Sequence, residues 1–350
     1  MTTIVIDTCA GQESQALEAA AIASLELDVQ VVVVGDESFI TDNLNKIAHD
    51  AERLSVLHAP DVVTDEVTAQ TADVEAPRSS LAVGLAYTAT QADAVFISAG
   101  RPSILLHHAA QSLKRIESVG RVALAAVYPT LQHRGPNDDP FALLLDVGAT
   151  PQCTGDHLVT FAAMGAAYAS KISGMERPRV ALLSNGSDPS AAPLSVQDAD
   201  LRLRRHELDF EYIGTIRGDQ ITVGEADVIV TNGFTGDVVV RTLEGVAATA
   251  EALLKKAQNR FQWRLGMSIL GDGIEQLREF TNWENYGGAP LLGVRHPVIV
   301  TQSNSGTRAF LNAIRLGAKI VRLEVISSIS EGVDALRVLE RAYHQGQVKS

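Results

Sequence analysis

Ala94-Val95-Phe96-Ile97-Ser98-Ala99-Gly100 decides the fold. Four apolar residues in succession, without polar alternation, predict a strand covered on both faces. The small polar tip that follows predicts a turn at its carboxyl end. The same construction recurs at Thr3 to Asp7, Val29 to Gly35, Val122 to Val127, Ala142 to Val147, Arg179 to Ser184, Val228 to Thr231 and Pro297 to Thr301. Helices are predicted at 13 to 24, 42 to 53, 79 to 91, 104 to 117, 156 to 173, 195 to 207, 236 to 262, 268 to 279, 305 to 316 and 330 to 344. Thr154 is placed to cap the fifth. Buried strands alternating with helices predict a mostly parallel α/β sheet, in which ligands collect beyond the carboxyl ends of the strands. The loop from Gln132 to Pro140 reads as a turn.

With 350 residues and 46% apolar composition, the chain is long enough for a large core, and disorder is excluded as its main state. The formal charge of −13 argues against a broad nucleic-acid surface. That charge is localised: residues 1 to 75 hold 15 acids against Lys46 and Arg53, and the remainder is balanced. Cys9 and Cys153 form no CxxC or zinc pattern, which fits a reducing cytoplasm. No basic leader with a long apolar run begins the chain, and no eighteen-residue apolar run follows, so neither secretion nor membrane spanning is expected.

The nine histidines are scattered, and His107 and His108 fall on different helix faces, so no metal is expected. G-x-S-x-G, G-x-G-x-x-G and the P-loop pattern are absent, which argues against serine hydrolase, dinucleotide and nucleoside triphosphate sites. What remains is a set of Gly-containing polar loops: 7 to 11, 98 to 103, 184 to 187, 232 to 237, 286 to 290 and 302 to 306. Backbone N–H groups in such loops can cradle an anion without a large cationic cluster.

Several ordered strings resemble the PlsX family of phosphate acyltransferases over nearly the whole chain. They are Leu144-Leu145-Asp146-Val147-Gly148-Ala149 with Cys153, His157-Leu158 and Phe161-Ala162-Ala163-Met164-Gly165, then Arg241-Thr242-Leu243-Glu244-Gly245, then Tyr286-Gly287-Gly288-Ala289-Pro290-Leu291-Leu292-Gly293-Val294. Ser98-Ala99-Gly100 and Ala125-Ala126-Val127-Tyr128-Pro129-Thr130 add to them. The resemblance implies a Rossmann-like, isocitrate/isopropylmalate dehydrogenase-like α/β architecture in one unit, 1–350, with a projecting helical hairpin over 236–280. It implies a homodimer that needs no cofactor. The implied reaction moves a fatty acyl group from acyl carrier protein, or coenzyme A, to inorganic phosphate, giving acyl phosphate for phospholipid synthesis.

On the loops and the resemblance together, Asp7, Asn232 and Asp237 are the expected catalytic residues. Phosphate or substrate contacts are expected from Gly11, Ser98, Gly100, Arg101, Asn185, Gly186, Gly233, Gly287, Gly288, Ser303, Asn304 and Ser305. Asp7 also reads as a loop brace, Asp146 as a turn brace and Asp237 as an acid complementing a helix dipole. Cys9 and Cys153 read more simply as small buried hydrophobes than as nucleophiles. Lys255, Lys256, Arg260 and Arg264, running into Leu265, Met267 and Ile269, are expected to contact the carrier or a membrane from the inner, cytoplasmic side. An ordinary dimer interface is the alternative for this basic stretch.

Departures from the family strings bear on catalysis. Asp-Ala-Met-Gly-Gly-Asp is here Asp7-Thr8-Cys9-Ala10-Gly11-Gln12, and Ser-Ala-Gly-Asn-Thr-Gly becomes Ser98-Ala99-Gly100-Arg101-Pro102-Ser103. Asp-Gly-Phe-x-Gly-Asn appears as Asn232-Gly233-Phe234-Thr235-Gly236-Asp237, and His-Gly-Ser-Ser as Gln302-Ser303-Asn304-Ser305. A Lys-Gly-Asn element is replaced by Ala191-Ala192-Pro193, leaving Arg101 to serve as phosphate ligand or as a solvated loop residue. A divergent paralogue is the competing expectation, either binding the carrier without catalysis or using another acceptor.

Overall fold

The computed structural model describes residues 1–8, 13–61, 63, 68–69, 71–72, 76–136, 138–186, 188–257 and 287–348. Its strands are β1 (Thr2–Asp7), β2 (Val29–Gly35), β3 (Leu54–His58), β4 (Ala94–Ser98), β5 (Ala123–Arg134), β6 (Asp139–Leu145), β7 (Arg179–Leu183), β8 (Glu211–Ile216), β9 (Val228–Val230), β10 (Ala289–Leu292) and β11 (Val298–Val300). Its α-helices are α1 (Glu13–Glu26), α2 (Glu37–Leu44), α3 (Ser80–Thr90), α4 (Pro102–Ser112), α5 (Gly155–Ser173), α6 (Leu194–Leu203), α7 (Gly233–Ala257), α8 (Thr307–Arg322) and α9 (Val325–Val348).

All eleven strands form one sheet in the order β3-β2-β1-β4-β11-β10-β5-β6-β9-β7-β8. Two parallel blocks, β3-β2-β1-β4-β11 and β6-β9-β7-β8, run in opposite senses. The antiparallel pairings β11–β10, β10–β5 and β5–β6 join them. As their unbroken apolar runs predict, β1, β2 and β4 are buried on both faces. One face carries Leu17 of α1, Phe161 of α5, Val196 of α6, Phe310 of α8 and Ile329 of α9. The other carries Leu85 of α3 and Leu105 of α4, with Val239 and Val240 of α7 packed against it. Gly165 lets α5 lie on the sheet, because a Cβ there would stand 2.5 Å from Val228 Cγ1.

The register has a consequence for the site. Ile6 pairs with Ile97, Ile97 with Ile299, and Ile299 with Pro290. Leu291 faces Leu124, and one residue on, Ala125 faces Leu145; Leu145 pairs with Val230 and Val230 with Leu182. One line across the sheet therefore passes the carboxyl ends of β1, β4 and β11 from one block and of β6, β9 and β7 from the other. The blocks point at each other, and their loops emerge at a common level.

Elsewhere the chain differs from expectation in local detail. α2 starts at Glu37 because Asp36 caps it, Oδ1 accepting the Phe39 N–H at 2.9 Å, and it stops at Leu44. The expected 132–140 turn narrows to 135–138, with Gly135 and Asp138 at positive φ, as β5 and β6 extend toward each other. β3 and β8 lie at the two sheet edges and are only partly buried, so they lack the apolar run used to find the others. The helix expected at 268 to 279 lies outside the described residues.

Candidate active site

The first half of the site is built at β1 and β4. Asp7 ends β1 and is 4% exposed. Its Oδ2 accepts the Ser98 hydroxyl at 2.6 Å, and its Oδ1 accepts the hydroxyl of Ser80, the first residue of α3. The Ser98 oxygen in turn accepts the Gly100 N–H at 2.9 Å. Arg101 and Pro102 then open α4, which has no side-chain cap. Beside this loop, Ser305 is fully buried and closes its own turn, its hydroxyl oxygen accepting the Gln302 N–H at 3.0 Å. Ser303 and Asn304 are exposed, and α8 starts after Gly306, again with no side-chain cap. Two helices that follow neighbouring strands, one on each face of the sheet, thus present first-turn N–H groups at the carboxyl edge of one block, an arrangement that favours an anion.

The second half is organised by Asp146, which is fully buried. Its carboxylate accepts four backbone N–H groups: Leu124 at 2.8 Å, Gly148 at 3.1 Å, Ala149 at 2.9 Å and Thr150 at 2.5 Å. Burial raises its pKa above the usual carboxylate value, and the four N–H groups work against that rise. These amides are consumed by Asp146, so the turn is a rigid wall and its N–H groups are not free for a ligand. α7 is seated on that wall: the Gly233 N–H donates to the Thr150 carbonyl at 2.9 Å, and a side chain at Gly236 would collide with the Asp146 carbonyl.

Asn232 caps α7, its Oδ1 accepting the Thr235 N–H at 2.9 Å. Asp237 pairs with Arg241 one turn on, at 2.9 Å. Asn185 is exposed beyond β7, and the Gly186 carbonyl accepts the Thr215 hydroxyl at 3.3 Å. A direct link joins the two halves: Gln302 Nε2 donates to Glu244 Oε1 of α7 at 2.9 Å.

Gly287 and Gly288 both have positive φ and serve close packing. A Cβ would stand 2.9 Å from the Asn312 carbonyl oxygen at the first and 2.8 Å from the Val300 carbonyl oxygen at the second. Cys153 points its thiol at the Thr150 carbonyl, 3.6 Å away, and burial beside Asp146 pushes its pKa up to about 12, which suits a buried hydrophobe. Lys255 pairs with Glu251 at 2.7 Å, and Lys256 is exposed. Cys9, Gly11, Arg260, Arg264, Leu265, Met267 and Ile269 lie outside the described residues. Among the described residues no group of three or more His, Cys, Asp and Glu could hold a metal. Ser80 and Thr150 join the site without a sequence signal beyond their places at a helix start and in a turn, and Glu244 joins it from the Arg241–Gly245 string, to which no site role was assigned.

The fold is a mostly parallel α/β one shared with phosphotransacylases. A phosphotransacetylase from Streptococcus pyogenes superposes with TM-score 0.59 at 15% identity, over 95% of this chain and 94% of that one. 4-Hydroxythreonine-4-phosphate dehydrogenase from Klebsiella pneumoniae does so with TM-score 0.51 at 14% identity, over 92% and 98%, consistent with the dehydrogenase-like architecture. The family described as fatty acid synthesis protein matches residues 2–328, and the chain belongs to it. A phosphate acyltransferase from Thermoanaerobacter pseudethanolicus is 32% identical over 310 residues, covering 88% of this chain and 90% of the relative.

Proposed function

We propose that the protein transfers a fatty acyl group from a carrier-protein thioester to inorganic phosphate. The observation that carries this reading is the single register line that brings the loops of both blocks together, in a chain of this family. Phosphate is held by the side with Ser98, Gly100 and Arg101 and with Ser303, Asn304 and Ser305, where α4 and α8 begin without side-chain caps. The thioester lies against Asn185, Gly186, Asn232 and Gly233. A phosphate oxygen attacks the carbonyl carbon, the C–S bond breaks, and the sulfur leaves as thiolate and takes up a proton. No covalent enzyme intermediate is required, so the protein acts by positioning and by stabilising the oxyanion.

Asp7, with both oxygens engaged by serines, acts as a positioning residue in this reading. Among the described residues no helix is long and apolar enough to cross a membrane. The working form is a homodimer in the cytoplasm, and α7, with exposed Phe234, Val238, Val246 and Leu253, supplies its contact with the partner subunit or the membrane surface.

The test is to incubate purified protein with phosphate and carrier thioesters of several chain lengths and to trap acyl phosphate with hydroxylamine. Acyl phosphate and free carrier thiol should appear in equal amounts. No product, under conditions where the Thermoanaerobacter relative turns over, would sink the catalytic reading. The Ala191-Ala192-Pro193 segment favours one alternative, a carrier-binding protein without turnover. In that case the well-folded triple variant Ala191→Lys, Ser103→Gly and Gln302→His gains activity from none.

A further inference from the structure

Four exposed cations stand together at the rim of the Asp146 turn. Lys114, Arg115 and Arg121 lie between α4 and β5, and Arg295 lies between β10 and β11. The Arg295 N–H donates to the Lys114 carbonyl at 3.0 Å, and its Nε donates to the Arg115 carbonyl at 3.3 Å. Arg115 forms a β-bridge with Val294, and its guanidinium donates to the Gly120 carbonyl.

None of the four forms an ion pair with a carboxylate among the described residues. The contrast with other cations is direct: Arg179 is held by Asp227, Arg202 and Arg337 by Asp156, and Arg204 by Asp200. On α7, Arg241 is paired with Asp237 and Lys255 with Glu251. Of the nearby acids, two are engaged elsewhere. Glu117 shares its loop, Asp334 receives the Ser118 hydroxyl, and Asp156 is already engaged by two arginines.

A short chain of contacts ties the cluster to the site. The Val122 carbonyl, next to Arg121, accepts the Thr150 hydroxyl at 2.9 Å, and the Thr150 carbonyl accepts the Gly233 N–H at 2.9 Å. His157 stands by Gly120, and its pKa is lowered first by burial, with Arg121 adding to the effect. The cations are spread over an exposed surface, a form suited to an extended acidic face more than to one small anion. In a chain of net charge −13, such a patch steers an acidic protein to one place.

We propose that Lys114, Arg115, Arg121 and Arg295 form the docking surface for the acidic face of the thioester-bearing carrier protein, whose arm enters the cleft past the Asp146 turn. This rests on the reading that a carrier thioester is the donor.

The test uses the full chain carrying Lys114→Glu and Arg121→Glu, two side chains with no hydrogen bond or ion pair among the described residues, with folding checked by circular dichroism. Acyl-carrier binding is followed by fluorescence anisotropy across a salt series, and turnover is compared for carrier and coenzyme A thioesters. Carrier affinity should fall by about tenfold or more and lose most of its salt dependence, with coenzyme A turnover unchanged. Unchanged carrier affinity overturns the proposal. So does absence of carrier binding by the parent chain, or a loss of binding that follows Lys255→Glu with Lys256→Glu instead. Loss of binding to phosphatidylcholine vesicles containing phosphatidylglycerol, with carrier binding intact, assigns the patch to a lipid surface and also overturns it. If neither thioester yields acyl phosphate, the functional reading falls, and the carrier titration still decides the docking surface.

Discussion

The Ser98 hydroxyl donates to Asp7 Oδ2 at 2.6 Å, joining the tips of two strands whose residues lie 91 positions apart. With Ser80 on the other oxygen and the Gly100 N–H on the Ser98 oxygen, Asp7 fixes the shape of the loop that opens α4. Ser98→Ala strips a partner from both the buried carboxylate and the Gly100 N–H. It should lower unfolding free energy by about 1–3 kcal/mol in a urea titration. It should also reduce acyl phosphate formation by about tenfold to a hundredfold, because the loop no longer holds its position. Wild-type turnover in this variant would remove Asp7 from the positioning role.

The buried parallel strands and the loops at their tips were legible in the sequence because apolar runs and small-residue turns are local signals. Thr154 shows this well: it caps α5 as expected, in a capping box with His157. What was not legible depends on distant partners. Nothing around Ser80 announces that it donates to Asp7, and nothing in Glu244 announces Gln302. Asn232 and Asp237 read as catalytic from their string, and the string did not announce that Asn232 caps α7 or that Asp237 pairs with Arg241, interactions set by the helix's starting point. The antiparallel seam was also hidden, because β10 is four residues long and its pairing with β5 spans more than 160 positions.

Asp146→Asn keeps the shape and removes the charge that gathers four N–H groups, while one side-chain oxygen becomes an NH2 facing a donor. A loss of roughly 2–4 kcal/mol in stability is expected. Hydrogen exchange should show faster loss of protection at Gly148, Ala149 and Thr150 than at β1 or β2. Uniform acceleration across the chain would argue against a local brace.

Acid should loosen the place where α5, α6 and α9 meet. The Arg337 guanidinium, then Arg202, hold the Asp156 carboxyl down at about 2, below its ordinary value near 3.8. A depressed carboxyl contributes stability that is whole above its unfolded pKa and is lost as pH falls through the folded one, here between about pH 4 and pH 2. Solvent at this half-exposed carboxyl screens part of the effect. Asp156→Asn should therefore flatten the fall in melting temperature across that window, and a slope equal to that of the parent would refute the assignment.

Cys153 should resist alkylation. With its pKa near 12, the thiolate fraction at pH 8 is on the order of 10⁻⁴. Iodoacetamide followed by peptide mass spectrometry should leave it unlabelled in the native protein and label it in urea. Rapid native labelling would show a thiol far more open than the packing under Thr150 allows.

The seam between the two blocks is narrow. β10 and β5 are held by only two residue pairs, Leu291 with Leu124 and Leu292 with Ala123, whereas β1 and β2 share six. β4 stands two strands from β10, about 10 Å at ordinary strand spacing. A torsion of about 10° at that ladder swings the Ser98 loop by roughly 2 Å relative to the Asp146 wall, enough to make or break a hydrogen bond. Among the pairings between the blocks this one is the shortest, and the Gln302–Glu244 bond spans the gap that such a swing would open.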